Sequence, residues 1–395
     1  MTRLFIIGAG PGAADSLTIK AGEIIAGCDE LFAFKRIGGQ LSAPDRRLTI
    51  ASCREVLEKV ASSSSRTIGL LVSGDTGFFS IAKKVKDSLP AGIEVEFIPG
   101  ISSLQYFCSK LKLSHEGLPV VSVHGRAMNV LGPVSYNQKL FVLTGGENNA
   151  AAVCSYLKKN GLGRLKASAG ELLSMPGERI VTGTAEELAA LTFNDCAVLL
   201  LENDSFADRH GPVRDSDLLR DKTPMTKEEV RWISVNSLRI APSDLVLDIG
   251  AGSGSVSLEM GRKAWQGTVY AIEKKEEAFR LLCENRKKLG GFNVLPVFGE
   301  AKKALKELPA ADKAFIGGSG GDLREIVLQL AGANPNVKIV INAVTLETLT
   351  GALAVFKELD FRTSVTQLNS ARAVRLGAHD LLTANNPVSI IYGEK

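Results

Sequence analysis

The sequence predicts an α/β protein in two successive parts, the second a doubly wound sheet of about seven strands. Three observations carry that expectation. Short, apolar, often β-branched runs ending in glycine alternate with helical stripes along the chain. The pattern breaks once, in a polar and charged stretch after Asn203. Two glycine-rich turns, far apart in sequence, each follow a strand-like run.

Taken in order, "RLFIIG", "TIGLLVSG", "EVEFIPG" and "PVVSVHG" read as buried strands of a parallel or mixed sheet. Apolar runs without alternation suit strands covered on both faces. Leu17, Ala21, Ile24, Ile25 and Cys28 form the stripe of a helix packed on that sheet, capped by Asp15, Ser16 or Thr18. "ASSSS" at Ala61 is a loop tip, and "KLFVLTGG", "RIVTGTA" and "CAVLLLEN" carry the pattern to about Asn203. Residues 204–224, non-periodic and charged, are expected to be a linker. From Met225 a helix bearing Val230, Ile233 and Leu238 leads into "DLVLDIGAGSGSVSLEM", a strand, glycine turn and helix. Strands follow at "GTVYAIE", "NVLPVFG", "KAFIGG", "VKIVINA", "FRTSVTQL" and "VSIIYG", with helices between the first five. The last two lack an intervening helix and predict an antiparallel hairpin at the end of the sheet.

Bulk properties narrow the function. The 395 residues exceed one average domain. The formal charge of +4 is mildly basic, with no Lys/Arg stripe of the kind a nucleic acid would need. The six cysteines contain no C-x-x-C, and the four histidines have no ligand-like spacing, so no metal site is expected. Apolar runs such as "CAVLLL" are too short to cross a bilayer, and the N-terminus lacks a signal-peptide layout. A cytoplasmic protein with reduced thiols is expected.

The second turn, Asp248-Ile249-Gly250-Ala251-Gly252-Ser253-Gly254, reads D-x-G-x-G-x-G between a strand and a helix. Its glycines let the backbone approach a ligand. About 25 residues on, the next strand ends in Glu273, where a carboxylate can accept from two ribose hydroxyls. Glu300 and Ala301 end the third strand where an adenine would lie. Asp248 would repel a pyrophosphate but attract an ammonium group. The combination resembles the class I S-adenosylmethionine-dependent methyltransferases, a Rossmann-like fold. With "PMTKEEVR", "AFIGGSGGDLREIV", "INAVTLETL" and "ARAVRLGAHDLLTANNPVSIIYGE", it resembles the cobalamin-pathway enzymes that methylate precorrin-6B at carbon 15 and decarboxylate its acetate. The resemblance covers 225–395. It implies that Thr226, the Gly250–Gly254 turn, Glu273 and Ala301 contact S-adenosylmethionine, and that Gly317, Gly318 and Ser319 face the macrocycle.

The opening Gly8-Ala9-Gly10-Pro11-Gly12-Ala13 fits a dinucleotide turn, but its glycines run on into "AADSLT" before any helix. The next strand ends in Lys35 and Arg36 rather than an acid. "SGDTGFFS", "IPGISS", "HGR", "TGGENN" and "MPGERIVTGTAEEL" follow in order, and together resemble the tetrapyrrole methylase family, a two-lobed class III methyltransferase fold. The resemblance covers 1–203, with lobes at about 1–112 and 113–203. It implies S-adenosylmethionine near the Gly8, Gly10, Pro11 and Gly12 loop, Asp75, Phe78, Ser102 and Ser103. Thr76 stands where many relatives have proline.

The two parts in this order resemble the bifunctional precorrin-6Y C5,15-methyltransferases. That implies one S-adenosylmethionine site per domain (S-adenosylhomocysteine as product), a corrin-pathway tetrapyrrole substrate and a homo-oligomer. Arg126, Arg372 and Arg375 are candidates for its carboxylates. His124 and His379 are conceivable proton donors, but no catalytic residue is assigned. Ser102, His124 and Asp75 suggest a triad by residue type alone. The rival readings are a class I RNA methyltransferase, which needs an added basic domain, a flavin or NAD oxidoreductase, and a non-enzymatic corrinoid carrier.

Overall fold

The computed structural model describes residues 2–34, 48–195 and 197–395, so Lys35 and Arg36 lie outside the described residues. The chain divides into two compact units. The first comprises Met1–Met128 and Lys139–Leu201, the second Asn129–Gln138 and Glu202–Lys395.

In the first unit, β1 (Arg3–Gly8), β2 (Glu30–Ala33), β3 (Leu48–Ile50), β4 (Thr67–Val72) and β5 (Glu94–Ile98) form a sheet in the order β3-β2-β4-β1-β5. Its pairings are parallel. Leu4 and Ile6 enter a core with Phe32, Ile68 and Leu70 on one face, while Phe5 and Ile7 meet Ala33, Leu71 and Ile98 on the other. The helix Ile19–Gly27 covers the second face, and Thr18, one of the three expected caps, accepts from the Ala21 N–H through its hydroxyl. The helix Cys53–Ser62 covers the first face with Val56 and Val60, begun by a Ser52–Glu55 capping box.

A second sheet of this unit contains β6 (Val120–Ser122), β7 (Lys139–Leu143), β8 (Lys166–Glu171), β9 (Arg179–Thr184) and β10 (Val198–Glu202), ordered β6-β7-β10-β8-β9. Strand β8, "KASAGE", has no large apolar residue and no sequence signal. It is nonetheless buried, because its small side chains make room for Phe107. A Cβ on Gly170 would lie 2.4 Å from that ring.

The second unit begins earlier than residue 225. The stretch 129–138 carries the buried helix Leu131–Ser135, where a Cβ on Gly132 would lie 2.3 Å from the Trp265 carbonyl oxygen. Tyr136 donates to Asn293 Oδ1 at 3.1 Å. The stretch 204–224, expected to be a linker, also packs into this unit. Val213 and Leu218 join its core, and the Val213 N–H is held by Glu259 at 2.7 Å. Isolated apolar residues among charges have no periodicity, so the sequence does not reveal their burial.

The main sheet of the second unit draws on β11 (Leu245–Ile249), β12 (Thr268–Glu273), β13 (Val294–Phe298), β14 (Lys313–Ile316), β15 (Lys338–Ala343) and β16 (Arg362–Leu368). Strands β17 (Ala371–Leu376) and β18 (His379–Ala384) form a separate hairpin before β19 (Val388–Glu394) returns to the sheet. The seven-stranded order is β13-β12-β11-β14-β15-β19-β16, parallel from β13 through β15, with β19 antiparallel to both neighbours. This is the doubly wound sheet that the sequence predicts, with its last two strands antiparallel, although β16 and β19 are joined through the separate β17–β18 hairpin and not by a direct turn. The order reverses between β11 and β14, and such a switch point opens a crevice at the carboxyl ends of the strands.

Candidate functional site

The crevice of the second unit has a volume of about 900 Å³. Thr226, Asp248, Gly250, Ala251, Gly252, Ser253, Glu273, Glu300, Ala301, Gly317, Gly318 and Ser319 line it, so residues spread over nearly a hundred positions converge on one cleft. The turn after β11 requires glycine: Gly250, Gly252 and Gly254 have φ of 74°, 55° and 80°. A Cβ on Gly250 would lie 2.6 Å from the Gly318 carbonyl oxygen, which brings the two glycine loops together. Gly254 does not line the cleft; it starts the helix Ser255–Lys263 and packs on Leu282.

Glu273 ends β12 and is locked by two backbone donors. Its Oε2 accepts from the Gly252 N–H and its Oε1 from the Lys275 N–H, both at 2.8 Å. Each oxygen retains a lone pair for a ligand hydroxyl. Asp248 is fully buried, its Oδ2 accepting from the Ser257 hydroxyl while Oδ1 has no partner. Burial pushes its pKa up to about 7, the Ser257 bond works against that, and the Glu273 charge adds to it. The Ser253 hydroxyl and Asn342 Nδ2 are also buried without partners. These orphaned groups, with open space around Gly318, fit a ligand carrying an ammonium, a ribose and a flat base.

Two expected substrate contacts do not belong to this cleft. Arg372 makes a bidentate pair with Glu229 at 2.9 and 2.6 Å and meets Asp215 at 3.1 Å. Arg375 pairs with Asp380 at 3.1 Å on the exposed hairpin. Carboxylates of the protein already occupy the Arg372 guanidinium, whereas Arg375 makes a single surface ion pair away from the cleft lining. His379 is exposed on the same hairpin. Sequence reasoning missed Asn342, whose one signal is its position at the carboxyl end of β15. It also missed Lys274, whose Nζ would lie 2.6 Å from a Cβ on Gly320.

The first unit has its own cleft, of about 830 Å³, lined by Pro11, Phe78, Ser103, His124 and Arg126 among others. Gly8, Gly10, Asp75 and Ser102 lie behind that lining and build it, and Gly12, next to Pro11, is buried and does not line it. A Cβ on Gly8 would lie 2.6 Å from the Gly100 nitrogen and 2.8 Å from the Gly74 oxygen. Gly10 and Gly74 exchange backbone hydrogen bonds at 3.1 and 2.8 Å. Asp75 clamps the loops, accepting from Gly77 at 2.8 Å and Gly100 at 3.1 Å. Ser102 caps the helix Ser103–Lys110 in a box with Gln105. Ser102 and Asp75 are thus engaged with the backbone, and the triad suggested by residue type is not assembled. The helix after β1 starts at Ile19, beyond a short turn at Ala14–Ser16, so it does not point into the glycine motif as a dinucleotide turn requires.

Comparison with known proteins follows the same division. Residues 3–189 match the tetrapyrrole (corrin/porphyrin) methylases, and residues 217–395 match the precorrin methyltransferase domain. A probable cobalt-precorrin-6B C(15)-methyltransferase (decarboxylating) of Pyrobaculum calidifontis is 40% identical over 170 residues, 42% of this chain and 87% of that protein. A precorrin-6Y C(5,15)-methyltransferase [decarboxylating] of Sinorhizobium is 28% identical over 299 residues, covering 74% of this chain and 71% of that protein. A crystal structure of precorrin-6y C5,15-methyltransferase from Geobacter metallireducens GS-15 aligns with 34% identity and a TM-score of 0.45, over 46% of this chain and 96% of that one. With a tetrapyrrole methylase domain in front and a precorrin methyltransferase domain behind, the chain belongs to the precorrin methyltransferase family.

Proposed function

We propose that the chain is a bifunctional, cytoplasmic, S-adenosylmethionine-dependent enzyme of cobalamin biosynthesis. It methylates meso carbons 5 and 15 of precorrin-6B, or its cobalt form, and decarboxylates the ring C acetate. The observation that carries this is the presence of two clefts of similar volume, one lined by residues of each unit. The names of relatives matching the rear part and nearly three quarters of the chain support the two positions.

S-Adenosylmethionine supplies an electrophilic methyl group on a sulfonium. In the second unit, Asp248 Oδ1 would take its ammonium and Glu273 its ribose hydroxyls, with Glu300 and Ala301 flanking the base. In the first unit, Pro11, Phe78 and Ser103 would hold it. The conjugated substrate provides its own nucleophilic carbon, so the protein's task is alignment, keeping the reacting atoms in near-attack geometry. A carbon–sulfur bond breaks, a carbon–carbon bond forms, and the meso carbon later gives up its proton. On decarboxylation the conjugated ring takes up the electron pair, and the new methyl group gains a proton.

The test is mass spectrometry of the macrocycle after incubation with S-adenosylmethionine. The expected product has two added methyl groups and has lost one carbon dioxide. Glu273→Ala should abolish carbon-15 methylation and spare carbon 5. Loss of both activities with the first unit still folded would reject the two-site reading.

A further inference from the structure

The loop between β4 and the helix Ala82–Asp87 places two phenylalanines side by side and uses them differently. Phe78 turns inward toward Phe141, with ring centroids 6.4 Å apart. Phe79 meets Phe78 edge-on, with centroids 5.2 Å apart and planes at 83°, and leaves 49% of itself exposed at the cleft. Its backbone has a φ of 48°, a left-handed conformation that is costly for a bulky aromatic. Strain of that kind persists only where the surroundings hold it, and it clusters at ligand sites.

The charges around it are one-sided. The Arg126 guanidinium sits 5.8 Å from the centre of the Phe79 ring. Neither Arg126 nor Lys84 has a side-chain ion pair among the described residues. Among the described residues lining this cleft there is no Asp or Glu, whereas Lys84, Arg126 and His124 are present. The second unit's cleft, by contrast, mixes Asp248, Glu273, Glu300 and Asp322 with its lysines. An exposed aromatic face beside unpaired cations, with no competing carboxylate, complements a flat conjugated ring fringed with carboxylates.

We propose that Phe79 is the stacking surface for the substrate macrocycle in the first unit, and that Arg126 and Lys84 take its peripheral carboxylates. This rests on the reaction proposed above and adds the substrate-facing wall of its carbon-5 site. Phe79 shapes binding of the ring, and Phe78 and Ser103 remain with the methyl donor.

The full chain is assayed for carbon-5 and carbon-15 products separately, with donor binding measured by calorimetry. Phe79→Leu should raise the KM for the macrocycle at carbon 5 by about fivefold, since a lost aromatic and cation–π surface is worth on the order of 1 kcal/mol. The carbon-15 reaction and donor affinity should stay unchanged. Phe79→Tyr should restore KM. Phe79→Gly, which adopts the φ of 48° without strain, should bind the macrocycle as poorly as leucine does while remaining folded. Lys84→Gln and Arg126→Gln should each raise KM and weaken its salt dependence. An unchanged KM in Phe79→Leu, or an equal loss of donor affinity, overturns the proposal. If the wild type makes no carbon-5 product, a stable octacarboxylate porphyrin becomes the probe. Its weaker binding to Phe79→Leu would support the platform while rejecting the assigned reaction, and equal binding would reject the platform.

Discussion

Replacing Asp248 by asparagine should stabilise the ligand-free second unit while weakening its grip on the methyl donor. The carboxyl is fully buried, and burial pushes its pKa from the ordinary 3.8 up to about 7. The stability it contributes is therefore fully present below pH 3.8 and is lost as pH rises through about 7. At about 1.4 kcal/mol per pH unit over that interval, the ionised carboxylate costs roughly 4 kcal/mol above pH 7. Asparagine keeps a hydrogen-bond partner for Ser257 and has no charge to desolvate. The variant should gain about 2 kcal/mol at pH 5 and up to about 4 kcal/mol at pH 8. Urea unfolding followed by tryptophan fluorescence isolates this effect, because the protein's two tryptophans, Trp232 and Trp265, both belong to the second unit. Donor binding should show the opposite sign. An ammonium beside Oδ1 favours the ionised form, so wild-type affinity should rise by up to about tenfold per pH unit below pH 7 and then level off. The variant should bind weakly and without that slope. A lower unfolding midpoint for the variant at pH 8, or an advantage that does not grow from pH 5 to pH 8, would refute the reasoning.

Two further substitutions probe how each unit is built. Gly100→Ala places a Cβ 2.4 Å from the Gly74 oxygen and 2.6 Å from the Gly8 oxygen. The three loops behind the first cleft must separate, at a cost of about 1–3 kcal/mol, and carbon-5 methylation should fall while carbon-15 methylation persists. Asp215→Ala removes a carboxylate 3.2 Å from Arg231, whose side chain is fully buried. Stranding that guanidinium should destabilise the second unit by about 3 kcal/mol, read from the same tryptophan signal.

The sequence by itself determined whatever depends on neighbours along the chain. Apolar runs such as "RLFIIG" and "VKIVINA" are strands because their residues suit burial on both faces. Thr18 caps a helix three residues before the N–H it binds. The turn at Gly250, Gly252 and Gly254 was legible because residues other than glycine rarely hold its positive φ. Only the tertiary structure decided which groups remain free to act. Arg372 looked available until folding set it against Glu229 and Asp215, partners 143 and 157 positions away. Strand β8 and the stretch 129–138 are recognisable only through what they pack against, Phe107 in one case and Trp265 and Asn293 in the other. Phe79 and Phe78 are the same residue type in the same loop and both reach the cleft, but the fold alone packed Phe78 against Phe141 and left Phe79 half exposed. The physical reason is common to all of these. Propensity and patterning act over a few residues, whereas burial, charge pairing and exposure are settled by contacts between residues that sequence keeps far apart.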